Sequence, residues 1–171
     1  MNRMALLLCA ALGLSAGAAP LTYDPLRARV VYNPSDSVPR GWYRIGPPDS
    51  LRVGDIVLVW LPLQAAALAA QRGYLPQRTP LLKRIGAMSP QQVCIRDRII
   101  RIDGLAKASA LMVDARGRPL PVWAQCRTLN DGELFLLSAT NPASFDSRYF
   151  GPVSAVTVIG SAQPLWTWDA Q

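Results

Sequence analysis

From Pro20 onward the apolar positions fall into short runs broken by glycine and proline, the pattern of a chain of strands. Residues 28–32 alternate and stop at Asn33-Pro34, a turn dipeptide. Residues 41–45 end at Gly46-Pro47-Pro48, and 55–60 form an unbroken apolar run between Gly54 and Pro62, as a buried strand would. Further runs at 81–85, 93–95, 98–102, 112–114, 134–137 and 153–159 predict more strands, with turns at Asp103-Gly104 and at Gly117-Arg118-Pro119. Only 64–72 departs from this pattern. It is alanine-rich, suits a helix and ends at Gly73, a residue that closes helices. The predicted fold class is mainly β with one short helical insertion, in a single domain over residues 20–171.

Residues 1–19 are of another kind. Arg3 precedes a continuous run of apolar and small residues from Met4 to Ala19 that includes Ala16-Gly17-Ala18, a small-x-small pattern suited to cleavage. A cleaved signal peptide and a short membrane anchor both fit. The run is somewhat shorter than the roughly twenty residues that span a bilayer comfortably. Cys9 follows three leucines, which argues against lipoprotein processing.

Charge narrows the chemistry. The formal net charge is +7, and it comes from arginine: lysine occurs only at Lys83 and Lys107. The arginines are scattered singly rather than clustered, so nucleic acid is not an expected partner. Histidine is absent from the chain. That excludes a Ser-His-Asp triad, a Cys-His pair and histidine-ligated zinc, and neither a metal nor a cofactor is expected. Outside the export segment Cys94 and Cys126 form an even pair, which in an oxidising compartment suggests a disulfide; two separate buried thiols are the alternative.

A hydrolase with no histidine must activate its nucleophile by other means. Lys83 lies within Leu81-Leu82-Lys83-Arg84-Ile85, where strand alternation puts it on one face with Leu81 and Ile85. Aliphatic surroundings strip water from an ammonium and lower its pKa, so that the neutral amine serves as a base near neutral pH. A lysine snorkelling from a sheet edge is the plainer reading of the same residue. Ser37 sits in the proline-stiffened turn Ser35-Asp36-Ser37-Val38-Pro39, where it is either a turn former or a fixed nucleophile, with Ser35 and the Ser37 backbone N–H as donors for an oxyanion. Residues 141–153 read by themselves as a loop with an Asp–Arg pair leading into a strand.

Taken in order, Ser37-Val38-Pro39, Gly54-Asp55-Ile56-Val57, Lys83-Arg84-Ile85 and Ser144-Phe145-Asp146-Ser147-Arg148-Tyr149-Phe150-Gly151 resemble the four motifs of the serine type I signal peptidases. The pattern Asn33-x-x-x-Ser37-x-Pro39-x-Gly41-x-Tyr43 is most similar to their conjugative-transfer (TraF-type) branch. The resemblance covers roughly residues 28–160 and implies a signal-peptidase-like β fold. It implies Ser37 as nucleophile, Lys83 as its general base and Ser35 as an oxyanion donor. It also implies that Ser144 orients the lysine and that Asp146 and Arg148 form a supporting pair. Two segments depart from the family pattern, Ser89-Pro90-Gln91-Gln92 after the lysine strand and Ala139-Thr140 before the last motif; both bear on turn geometry.

The resulting expectation is an exported serine endopeptidase of conjugative transfer, at the periplasmic, outer face of the bacterial inner membrane. Its substrate would be a pilin precursor or another exported peptide, bound extended, with small residues before the cut. An amine of the same pilin could replace water and close a ring. The competing expectation is a non-catalytic periplasmic assembly component of a conjugation or secretion system. Trp42, Trp60 and Trp123 are expected in the core, Trp166 and Trp168 at lipid headgroups, and Lys107 in solvent.

Overall fold

A computed structural model describes residues 29–168. The segment at 1–19 lies outside the described residues. Eleven strands are present among them: β1 (Arg29–Asn33), β2 (Arg40–Gly46), β3 (Ile56–Val59), β4 (Leu81–Met88), β5 (Gln92–Arg96), β6 (Ile99–Ile102), β7 (Leu105–Ser109), β8 (Cys126–Thr128), β9 (Glu133–Leu136), β10 (Val153–Ser154) and β11 (Val158–Trp168). The helices are α1 (Leu63–Arg72) and α2 (Ser147–Phe150). The fold is mainly β, as the apolar pattern predicts. No described helix is long and apolar enough to cross a membrane.

The strands form two antiparallel sheets. The larger runs β1-β2-β11-β3-β4-β9-β10 and the smaller β7-β6-β5-β8. β3 lies between β11 and β4, and all four of its residues are buried, which is why its sequence is an unbroken apolar run. β6 shows the opposite arrangement, with Ile100 and Ile102 buried while Ile99 and Arg101 face out. One apolar cluster, including Val93, Ile95, Ile100, Ile102 and Phe135, joins the small sheet to the large one. Two others, around Tyr43, Leu58 and Leu82 and around Val57, Ile85 and Leu136, cover the two faces of β3 and β4.

α1 ends as its sequence predicts: Gly73 takes a left-handed conformation, and its N–H bonds the carbonyls of the last turn. At Gly41 (φ +140°) β2 passes so close to β11 that a Cβ would lie 2.1 Å from the Trp166 carbonyl oxygen, so only glycine fits. Cys94 and Cys126 are directly opposed between β5 and β8 and are joined by a disulfide with a sequence separation of 32. Replacing both by serine is expected to lower stability by about 4 kcal/mol, the chain-entropy value for such a loop, read from denaturant unfolding against the oxidised wild type. An unchanged midpoint would show that the crosslink contributes nothing.

The structure differs from the sequence pattern in several places. The strand expected at 153–159 is broken after Ser154 by a 3-10 turn (Ala155–Thr157) and resumes as β11, which continues to Trp168. Residues 112–114 make only a single bridge, Val113 to Pro119. β7 and β8 were not predicted, because neither carries an apolar stripe: β7 is almost wholly exposed, Lys107 with it. Of the three tryptophans expected in the core, only Trp123 packs there; Trp42 and Trp60 are exposed. Trp42 is at the surface because alternation along β2 buries Tyr43 and Ile45 instead.

Candidate active site

The turn between β1 and β2 carries Ser37, and Asn33 shapes it. The Asn33 side-chain amide donates to the carbonyls of Ser35 (2.8 Å), Val38 (3.1 Å) and Pro39 (3.1 Å). Its Oδ1 accepts from the Ser35 N–H and from the Ser35 hydroxyl (2.9 Å). Tyr43 adds a hydrogen bond to the Pro39 carbonyl at 2.6 Å, and Arg40 makes a two-pronged contact with Asp36. A loop of this composition would otherwise be mobile; here the side chain of Asn33 takes the place of a ladder of backbone bonds. The Ser37 N–H makes no hydrogen bond among the described residues.

Lys83 is on β4, opposite Val57 of β3, and its side chain is 1% exposed. Leu81, Lys83 and Ile85 share the face that alternation assigns them, while Leu82 packs against the other cluster. The Lys83 amine is in hydrogen-bond contact with the Ser37 hydroxyl and donates to Ser144 Oγ at 2.5 Å. The two serine oxygens are 3.4 Å apart. Burial is the largest influence on the amine; with Asp146 pulling the other way and Arg148 reinforcing, its pKa falls to about 8. A neutral amine held this way can take a hydroxyl proton, so the arrangement is capable of nucleophilic chemistry without an imidazole.

The segment 138–150 folds over this pair, and one side chain holds it in place. Arg148 is fully buried and pairs with Asp146, also fully buried, at 2.7 Å. It further donates to the carbonyls of Ser138 (2.6 Å), Ser109 (2.7 Å) and Pro142 (3.4 Å). Asp146 accepts from the Ser138 N–H and caps the one-turn helix α2 through the Arg148 N–H. The buried Ser147 hydroxyl accepts from the Leu136 N–H at 2.9 Å, anchoring the same turn to β9. The loop that carries Ser144 is thereby fixed against both sheets.

The structure therefore brings Ser37, Lys83 and Ser144 into contact and pairs Asp146 with Arg148 behind them. Ser35 lies in the same turn, with its hydroxyl committed to Asn33. Two clefts meet at Ser37. One is bordered by Arg40, Arg84 and residues 138–142; the other, mostly apolar, lies between Ser35 and Leu81. Residues 81–83 of β4 have no strand partner on the side away from β3, because β9 pairs only from Ile85 onward. That free edge faces the apolar cleft.

The family described as signal peptidase, peptidase S26 matches residues 1–168. The chain belongs to the signal peptidase S26 family. This S26 chain is 30% identical over 168 residues to the plasmid transfer protein TraF of Escherichia coli, covering 96% of this chain and 91% of that one. It is 35% identical over 150 residues to the conjugal transfer protein TraF of Agrobacterium fabrum, covering 80% and 82% respectively. A signal peptidase I structure from Enterococcus faecalis V583 shares 20% identity over 67% of this chain and 97% of that one, with a TM-score of 0.41.

Three contributors to this S26 site were not anticipated as such: Asn33, Ser138 and Ser147, all buried and polar. Asn33 carried a signal, an asparagine before proline at the mouth of a serine-containing turn. Ser138 contributes chiefly through its backbone, and no side-chain pattern reports that.

Proposed function

We propose that this chain is an exported serine endopeptidase of conjugative transfer, with Ser37 as nucleophile and Lys83 as its general base, processing a pilin precursor at the outer face of the bacterial inner membrane. The observation that carries the reading is the contact between the Ser37 hydroxyl and a lysine amine that burial has brought to a pKa of about 8. The S26 family is one of peptidases, and similarity to plasmid and conjugal transfer proteins supports the biological setting.

The substrate binds extended along the free edge of β4, adding a strand. Ser37 Oγ attacks the scissile carbonyl carbon as its proton passes to Lys83 Nζ, which Ser144 holds in place. The oxyanion takes the unspent Ser37 N–H and the Ser35 hydroxyl, which exchanges Asn33 for the new partner. The C–N bond then breaks, Nζ returns its proton to the leaving amine, and an acyl-enzyme remains. Water, or an amine of the same pilin, attacks that ester with Lys83 again accepting a proton; water leaves a trimmed chain and the amine leaves a ring. Arg148 and Asp146 hold the loop that positions Ser144. Exposed Tyr32, Trp42, Trp166 and Trp168 gather where β1, β2 and β11 adjoin, an amphipathic surface suited to lipid headgroups.

The test is mass spectrometry of the pilin precursor incubated with the purified protein. A shortened chain is expected, and a product lighter by one water than the trimmed linear form identifies ring closure; an unaltered precursor rejects the reading. The base must be neutral to act, so kcat/KM should rise with pH to a plateau with a midpoint near 8, falling about tenfold per pH unit below it. A profile flat down to pH 5 would exclude a lysine base.

A further inference from the structure

The free edge of β4 is short, and where it ends a cleft opens that proton transfer does not use. At Arg84 the edge closes, because the Arg84 carbonyl accepts the Leu137 N–H at 3.0 Å and β9 pairs with the strand from Ile85 onward. An extended chain bonded along residues 81–83 must therefore lift away at that point. It lifts into the cleft of about 520 Å3 between the Ser37 turn and residues 138–142.

Guanidinium groups mark this cleft. Alternation places Arg84 on the face of β4 opposite Lys83, where it is exposed. Its Nη1 donates to the Gly54 carbonyl at 2.5 Å, which pins the side chain beside the cleft. Among the described residues its remaining N–H donors find no acceptor, and no carboxylate lies within ion-pairing distance of it. Arg40 borders the same cleft, but Asp36 takes both prongs of its fork, at 2.6 and 2.8 Å. Two guanidinium groups thus stand against one carboxylate, and the uncompensated charge is on Arg84.

The half of a substrate bonded to β4 keeps its place through the acyl-enzyme, since strand bonds hold the ester for the second attack. The other half must depart, and an open polar cleft releases it and admits water or an amine. Resting on the proposed peptidase reading, we infer that this cleft is a leaving-side subsite for a carboxylate, which Arg84 binds. An acidic side chain within the leaving segment and the carboxyl end of a short leaving segment present the same group. A guanidinium already fixed by a backbone carbonyl loses little freedom in taking a second acceptor. Arg40 acts indirectly: it neutralises Asp36, which would otherwise repel the incoming anion.

The experiment uses two series of peptides with small residues around the cut. In one, glutamate or glutamine occupies each of four leaving positions singly, ahead of an amidated end. In the other, all-alanine leaving segments stop after each of those positions, as acid or as amide. In one series, at one position, the anionic member should be cleaved with a kcat/KM about fivefold higher, an advantage that shrinks as salt rises. That series identifies the source of the carboxylate. Arg84→Gln should bring the ratio close to one and Arg84→Glu should reverse it, whereas a merely structural role would slow both members alike. Arg40→Gln, which frees Asp36, should narrow the ratio as well. Titration of the same peptides into Ser37→Ala separates this inference from the peptidase reading. Tighter binding of the anionic peptide with no cleavage by the wild-type protein would uphold the carboxylate subsite and reject the peptidase. Cleavage with no charge preference in either series, or a preference that survives in Arg84→Glu, would overturn the subsite alone. Absence of both binding and cleavage overturns both.

Discussion

Lys83→Met is expected to abolish turnover and to stabilise the fold in the same molecule. On the proposed mechanism Lys83 is the base on which Ser37 depends, and its loss costs about 10^4-fold or more in kcat. The stability effect follows from the depressed pKa, about 8 in the fold against 10.5 for a free lysine. Below pH 8 the amine is charged in both the folded and the unfolded chain, so the folded protein carries the whole penalty of a buried ammonium. The penalty fades as pH rises from 8 to 10.5, where the folded amine is neutral and the unfolded one still binds a proton. At about 1.4 kcal/mol per pH unit the difference is on the order of 3 kcal/mol at pH 7. Methionine fills similar volume without charge. It leaves the Ser37 and Ser144 hydroxyls without their amine partner, a loss of about 1 kcal/mol each, so a net gain of about 1–2 kcal/mol is expected. That corresponds to a Tm higher by roughly 2–8 °C at pH 7. Wild-type stability should approach that of the variant between pH 8 and 10.5. A variant less stable at every pH, beside a wild type whose stability is flat over that interval, would reject this account of the buried amine.

Arg148→Met should do the reverse, lowering stability steeply before any effect on chemistry is considered. The substitution leaves Asp146 without its ion-pair partner at 0% exposure and strips partners from the Ser138, Ser109 and Pro142 carbonyls. Removing one member of a buried pair costs about 3–5 kcal/mol, a large part of the stability of a domain this size. The loop bearing Ser144 loses its anchor at the same time, so residual folded protein should turn over slowly, with the loss in kcat rather than KM. Urea unfolding of Arg148→Met and of the double variant Asp146→Leu/Arg148→Met separates the causes. The double variant should recover only part of the lost stability, because no uncompensated charge remains while the three carbonyls and the Ser138 N–H still lack their partners, and should recover little activity. A single variant within 1 kcal/mol of wild type would show that the pair does not hold this segment.

These two residues also mark how far the sequence could be read. Lys83 was visible because its strand is apolar on either side and because no histidine competes for the proposed role of base. The alternation that places it with Leu81 and Ile85 is a local property of extended chain, so its face followed from sequence alone. The four ordered motifs placed Ser37, Ser144, Asp146 and Arg148 in one family pattern, and the even cysteine pair anticipated the crosslink. β3 and α1 were equally legible, one from an unbroken apolar run and the other from alanine content closed by glycine.

What needed tertiary structure was everything set by partners distant in sequence. β7 and β8 carry no apolar stripe and are strands only because β6 and β5 supply their hydrogen bonds. Trp42 and Trp60 are apolar enough for a core, yet neighbouring strands had already claimed the buried face. The closing strand runs to Trp168 because β2 lies beside it, a fact no local propensity contains. The spacing of Ser37 and Lys83 along the chain says nothing of their contact; the turn held by Asn33 and the loop held by Arg148 decide it. A strand's alternation is written residue by residue, whereas a site is a distance between residues, and only the closed fold determines distances.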